Sequence, residues 1–205
     1  MSGEAARQYT WDDYQSWNDG QRWEVLGGEV YAMTPAPLPR HQWIQLKLAV
    51  QLESFLKDKR CQVLPAPIDV RLSDEDVVQP DLVVVCDRAQ IKRTHIEGAP
   101  SLVVEILSPS TATYDRVRKL RLYARSGIKE VWLVTPYPWL AEVLVLDGEN
   151  YRMWQSYERD DTLESRILPG LRITLREVFD FPLEPDEEVP MVKEAHPPYA
   201  PQKAE

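Results

Sequence analysis

Between His41 and about Lys57 the apolar residues Ile44, Leu48, Leu52 and Phe55 recur every three or four positions. That period puts them on one side of a helix of about four turns. Before it, Thr10 and Asp13 form a capping-box pattern that opens a short helix reaching about Trp17, and Asn18-Asp19-Gly20 stops it. Arg22–Leu26 and Glu29–Met33 flank Gly27-Gly28 and predict a hairpin. Pro35, Pro37 and Pro39 predict a stiff connector into the long helix.

After the helix the pattern turns to strands. Val63, Ile68, Val70 and Leu72 precede an acidic turn at Ser73–Asp76. Two valine-rich runs follow, Leu82–Cys86 and Leu102–Leu107, of the kind buried on at least one sheet face. Ser110, Thr111 or Thr113 can cap a helix over 111–126, Gly127 ends it, and Val131–Val134 is a further strand. Strand, helix and strand in succession predict a crossover, so part of the sheet is expected to be parallel. Glu142–Leu146 and Tyr151–Trp154 around Asp147-Gly148 predict an antiparallel edge hairpin, and Leu171–Thr174 a short strand before a last helix near Leu175–Phe179. The fold class is α/β, a mixed central sheet flanked by helices with an added N-terminal hairpin. The expected organisation is a flexible start over 1–9, one domain over 10–181, and a Pro- and Glu-rich tail over 182–205.

No apolar run reaches the roughly 20 residues that cross a bilayer, and the first residues lack a signal-peptide core, so a cytoplasmic, non-membrane protein is expected. Cys61 and Cys86 lack a Cys-x-x-Cys spacing and read as buried thiols. The net charge of −9 argues against a general binder of phosphate backbone. Much of that excess lies from Glu184 onward, however, and Arg116, Arg118, Lys119, Arg121 and Arg125 crowd together on the helix after the second valine run. Trp139 and Trp154, near Leu144 and Leu146, offer either core packing or a homodimer surface.

Two acids interrupt the strand pattern. Asp81 opens the first valine run behind Pro80, and Glu105 sits within the second, sharing a face with Val103 and Leu107. A carboxylate in such a place is costly unless it is paired or binds a metal. Two together form a candidate hard-cation site, because Mg²⁺ is held by one or two carboxylates, waters and substrate phosphates. The plain alternatives are a solvated strand start for Asp81 and a structural ion pair for Glu105. Lys119 either pairs with Asp115 one turn earlier or reaches back over the Glu105 strand. No Gly-rich phosphate loop, zinc spacing or Gly-x-Ser-x-Gly elbow competes with this centre, and His41, His95 and His196 are scattered.

Several blocks carry a resemblance to a known family. They are Trp23–Val30, Met33–Pro37 with Arg40-His41, Val78–Leu82, Gly98–Ser110, Asp115-Arg116, Lys119, Leu122-Tyr123, Gly127 and Val131–Val134. Together they resemble the Uma2 family, also called DUF820, of the PD-(D/E)XK restriction-endonuclease-like superfamily. In that pattern Asp81 matches the first acid and Glu105 the second. Leu107 stands where the superfamily usually has lysine, and Lys119 resembles a lysine moved to the following helix. Glu24 matches an additional acid of such sites.

The resemblance implies a restriction-endonuclease-like fold and Mg²⁺-dependent hydrolysis of a phosphodiester, in DNA, with Mn²⁺ able to substitute. Asp81, Glu105 and the Ile106 carbonyl would hold the ion with help from Glu24, and Lys119 would position water or stabilise the transition state. Arg40, His41, Arg116 and Arg118 are the expected substrate contacts, and a homodimer is the expected assembly. Two alternatives stand beside it: a catalytically silent domain that binds DNA or a protein through the same cleft, and a hydrolase of another phosphate compound.

Overall fold

The computed structural model describes residues 7–33, 37–107 and 114–183, with only the backbone of Tyr114, Asp115 and Arg116. In chain order the elements are α1 (Trp11–Gln15), β1 (Trp23–Leu26), β2 (Glu29–Ala32), α2 (Pro39–Leu56), β3 (Gln62–Pro65), β4 (Asp69–Ser73), β5 (Asp76–Val78), β6 (Leu82–Val85), β7 (His95–Glu97), β8 (Leu102–Ile106), α3 (Tyr114–Arg125), β9 (Glu130–Thr135), β10 (Leu140–Asp147), β11 (Asn150–Glu158), β12 (Thr162–Glu164), β13 (Arg172–Thr174) and α4 (Leu175–Phe179). The capping box at Thr10 and Asp13 is formed. Pro39, expected in the connector, is instead the first residue of α2, where its missing N–H has no helical partner to lose.

A six-stranded sheet runs β11-β10-β9-β8-β6-β3. It is mixed: β8 and β9 are parallel across the α3 crossover, and its other neighbours are antiparallel. Its central strands are buried on both faces, which explains their uninterrupted valine runs. Leu82, Val84, Leu102, Val104 and Ile106 meet Ile44, Leu48, Leu52 and Leu56 of α2 on one side. Val83, Val85 and Val103 meet Leu122 and Tyr123 of α3 on the other.

The N-terminal hairpin belongs to a second sheet of order β2-β1-β5-β4-β7. Val70, Val78 and Ile96 of that sheet join the α3 side of the core, while Val25 and Val77 pack under Trp11 on its outer face. Successive side chains on β1 point to opposite faces, so with Val25 outward Glu24 is turned inward, toward α3.

The reading of the two cysteines needs correction. Cys61 and Cys86 form a disulfide rather than buried thiols. The pairing Gln62↔Val85 places these two cysteines opposite each other just beyond the ends of β3 and β6. On α3, Val117 is 45% exposed, whereas Leu122 and Tyr123 carry the buried face. Trp139 and Trp154 are partly buried against the core, the packing alternative of the two offered for them. The expected α3 cap at residues 110–113, Thr34 to Ala36 of the connector, and most of the two predicted flexible ends lie outside the described residues. Among the described residues no helix is long and apolar enough to cross a membrane.

Candidate active site

Antiparallel pairing sets the first two acids side by side. Leu82 pairs with Val104, so the register carried one step further sets Asp81 opposite Glu105. Asp81 is not a solvated strand start. Its Oδ2 accepts from the Ile106 amide at 2.7 Å, and its Oδ1 lies 3.2 Å from His41 Nε2 on α2. Gln45, also on α2, donates to the Asp81 carbonyl at 2.8 Å. Three contacts from two elements, α2 and β8, thus fix this residue, and the part of Ile106 engaged is its N–H.

Lys119 supplies the third point. Its Nζ stands 2.9 Å from Glu24 Oε1 and 3.3 Å from Glu105 Oε1, bridging β1 and β8 from the second turn of α3. The reach over the Glu105 strand is therefore the arrangement adopted. Tyr123, one turn further along α3, donates its hydroxyl to the same Glu105 oxygen. Glu24 Oε1 also accepts from the Gln79 amide at 2.9 Å. Glu24, Glu105 and Lys119 are all largely shielded, with side chains 9%, 14% and 16% exposed.

Shielding governs the protonation of this group. Burial pushes the Glu105 carboxyl up to about 7; Lys119 opposes that rise, and the charges of Asp81 and Glu24 add to it. Burial works against the Lys119 ammonium, but Glu105 and Glu24 outweigh it and hold the ammonium above its usual range. The Tyr123 hydroxyl is held protonated by burial and then by the Glu105 charge. Glu105 near 7 means that proton, ammonium and any added cation compete for one carboxylate around neutrality.

Three carboxylates, from β1, from the residue just before β6 and from β8, are oxygen donors of the kind that hard cations take. Among the described residues, however, no three His, Cys, Asp or Glu side chains are already arranged around a metal position. The reason is visible in the contacts. Lys119 occupies the gap between Glu24 and Glu105, and Asp81 spends both oxygens on His41 and Ile106. The donor set fits a divalent ion chemically, provided that Lys119 yields part of its place.

The remaining expected contacts divide. His41 reaches the centre, through Asp81. Arg118 lies 3.5 Å from Glu29 and over the Tyr31 ring, beside Glu24 on the paired strand rather than at the carboxylates. Arg40 turns away: it stacks over Phe181 and donates to the Leu183 carbonyl. The Arg116 and Asp115 side chains lie outside the described residues. Sequence reasoning assigned no role to Tyr123, Gln79 or Gln45. Tyr123 carried a signal, since it falls one helical turn after Lys119 on the same face. Gln79 carried none, because it acts on Glu24 through its backbone.

Comparison with known proteins decides the family. The Uma2 family model, described as "Putative restriction endonuclease", matches residues 11–176. The chain belongs to the Uma2 family. A relative in Synechocystis sp., the uncharacterized protein slr1290, is 32% identical over 126 residues, which are 60% of this Uma2 chain and 66% of that protein. The crystal structure of an Anabaena variabilis protein described as a putative nuclease belonging to DUF820 superposes with a TM-score of 0.68 at 18% identity. The match covers 83% of this chain and 97% of that one. At that identity the likeness shows a shared fold: a mixed sheet flanked by helices, as in a nuclease-like Uma2 protein.

Proposed function

We propose that this Uma2 protein is a metal-dependent endonuclease of the PD-(D/E)XK type that hydrolyses phosphodiester bonds in DNA. The observation that carries the reading is the meeting of Lys119 with Glu24 and Glu105, contributed by three separate elements, beside Asp81. A structural ion pair needs one acid. Gathering three at one end of two sheets, with one raised to about 7, is a costly arrangement of the sort found where chemistry is done.

Asp81, Glu105 and Glu24, with the Ile106 carbonyl, are the residues proposed to hold Mg²⁺, or Mn²⁺ in its place. When bound, such an ion polarises a phosphoryl oxygen and lowers the pKa of its water. The chain's own part is positional. Tyr123 fixes the Glu105 carboxylate by its hydroxyl, and His41 with the Ile106 amide fixes that of Asp81. Lys119 delivers a donor to the attacking water or to the oxygen that gains charge in the transition state. Arg118 and His41 flank the centre as candidate phosphate contacts.

A second reading has a specific observation behind it. Lys119 already neutralises Glu24 and Glu105, as it would in a silent domain that binds DNA without cutting it. Incubation with supercoiled, linear and single-stranded DNA under Mg²⁺, Mn²⁺ or EDTA separates the two. The endonuclease reading expects metal-dependent cleavage that Glu105→Gln and Asp81→Asn abolish. Cleavage that persists in both variants contradicts the proposed centre, and DNA retention without cleavage under either metal supports the silent domain.

A further inference from the structure

A cavity of 290 Å³ opens on the outer face of the second sheet, lined by Trp11, Tyr14, Trp17, Trp23 and Asp69. Trp23 shares this face with Val25, so Glu24 and the acidic centre lie on the other side of β1. The rings turn around the space: Tyr14 and Trp17 are 5.4 Å apart at 60°, and Trp17 and Trp23 are 6.2 Å apart at 74°. Trp11 stacks on Tyr14 and is also engaged by His95, which makes it a fixed wall. The Trp23 indole N–H is pinned by the Asp19 carboxylate at 3.0 Å.

Asp69 gives the cavity its sign. Its Oδ1 accepts from the Tyr14 hydroxyl at 2.7 Å and from Gln79 Nε2 at 2.9 Å, and both donors are neutral. Burial, then Asp69 itself, keeps the Tyr14 proton in place. Among the described residues Asp69 has no cationic partner, in contrast to Asp76, which Arg125 meets at 2.6 Å on the neighbouring strand. Aromatic faces carry negative charge density and attract cations, most strongly where water is excluded. Asp69 is thus bonded directly only by neutral donors, with Arg22 one step removed behind the Gln79 side-chain carbonyl at 2.7 and 2.9 Å, and it faces several such rings.

We propose that this cavity binds an alkylammonium cation, its methyl or methylene groups against Tyr14, Trp17 and Trp23 and its charge toward Asp69. A phosphate-bearing ligand is disfavoured by the Asp69 charge. A stacked neutral base could use the rings but not the carboxylate charge. Gln79 touches both sites, its amide on Glu24 and its side chain on Asp69, but the cavity proposal does not rest on metal binding or catalysis at the acidic centre, so either reading can fail without the other.

Calorimetry and intrinsic tryptophan fluorescence on the full chain test this with four probes: choline, spermidine, the neutral tert-butyl isostere of choline, and adenosine. Choline and spermidine separate a compact quaternary ammonium from a linear polyamine. The expected result is saturable binding of at least one amine, about tenfold tighter than the neutral isostere, with a change in tryptophan emission. Asp69→Asn, which preserves shape and an acceptor for Tyr14 and Gln79, should weaken the amine by about tenfold while the circular dichroism spectrum is unchanged. Glu105→Gln should leave amine binding as it is. Equal binding of the isostere, unchanged affinity in Asp69→Asn, binding of adenosine alone, or no binding of either amine overturns the proposal.

Discussion

Replacing Glu105 by glutamine removes one titrating group from a shielded site, and its effect on stability has a defined pH signature. The Glu105 carboxyl moves from an ordinary value of 4.5 to about 7 in the folded chain. The folded state therefore holds this proton more tightly than the unfolded one. Stability from this group is full below pH 4.5 and is lost as pH rises through about 7. The shift corresponds to roughly 3 kcal/mol at about 1.4 kcal/mol per unit. Glutamine keeps an acceptor for Tyr123 and Lys119 but cannot ionise, so the variant escapes this loss. Urea denaturation of both proteins in EDTA, at intervals between pH 4.5 and pH 8, gives the stability difference directly. The difference should swing in favour of Glu105→Gln by roughly 3 kcal/mol across that window, whatever constant offset the lost ion pair adds. Parallel profiles would refute the claim that burial, opposed by Lys119, governs this carboxylate.

Other outcomes follow from the same contacts. Mg²⁺ or Mn²⁺ affinity should rise by about tenfold per pH unit below neutrality and flatten above it, because metal and proton compete for Glu105; calorimetry across pH measures this. Lys119→Ala should lower cleavage by about a hundredfold or more while metal affinity holds or improves, since the ammonium no longer competes between Glu24 and Glu105; steady-state kinetics and metal titration separate the two effects. Reduction of the Cys61–Cys86 bond, which closes a loop of 25 residues, should cost roughly 3 kcal/mol of unfolding free energy, read from denaturation with and without reductant and from peptide mapping of the bridge.

Much of the architecture was legible because strong periodicity and strong punctuation coincide. The i, i+4 spacing of Ile44, Leu48 and Leu52 and the valine runs at 82–85 and 102–104 leave few alternatives, and the intervening helix forces β8 and β9 parallel. The pairing of Asp81 with Glu105 was legible as chemistry, through the cost of acids in apolar strands, but not as geometry, since register is set by partners distant in sequence. Lys119 shows the limit most clearly. Sequence spacing offers it Asp115, whereas the fold offers Glu24, which lies far away in the chain and comes near only because β1 joins the second sheet. The disulfide was missed for the same reason: Cys61 and Cys86 meet through the β3–β6 register. Arg40 misled because a position beside His41 on α2 says nothing of Phe181, whose ring captures the guanidinium.

The central claim is that Glu24, Asp81 and Glu105 can take up a divalent ion where Lys119 now stands between two of them. Titration calorimetry with Mn²⁺ above neutral pH, comparing the natural chain with Asp81→Asn and Glu105→Gln, addresses it most directly. The account predicts one saturable site in the natural protein and its loss in each variant, with circular dichroism showing both still folded. No uptake by the natural chain, with or without a nucleotide present, or equal uptake by the variants, would contradict it.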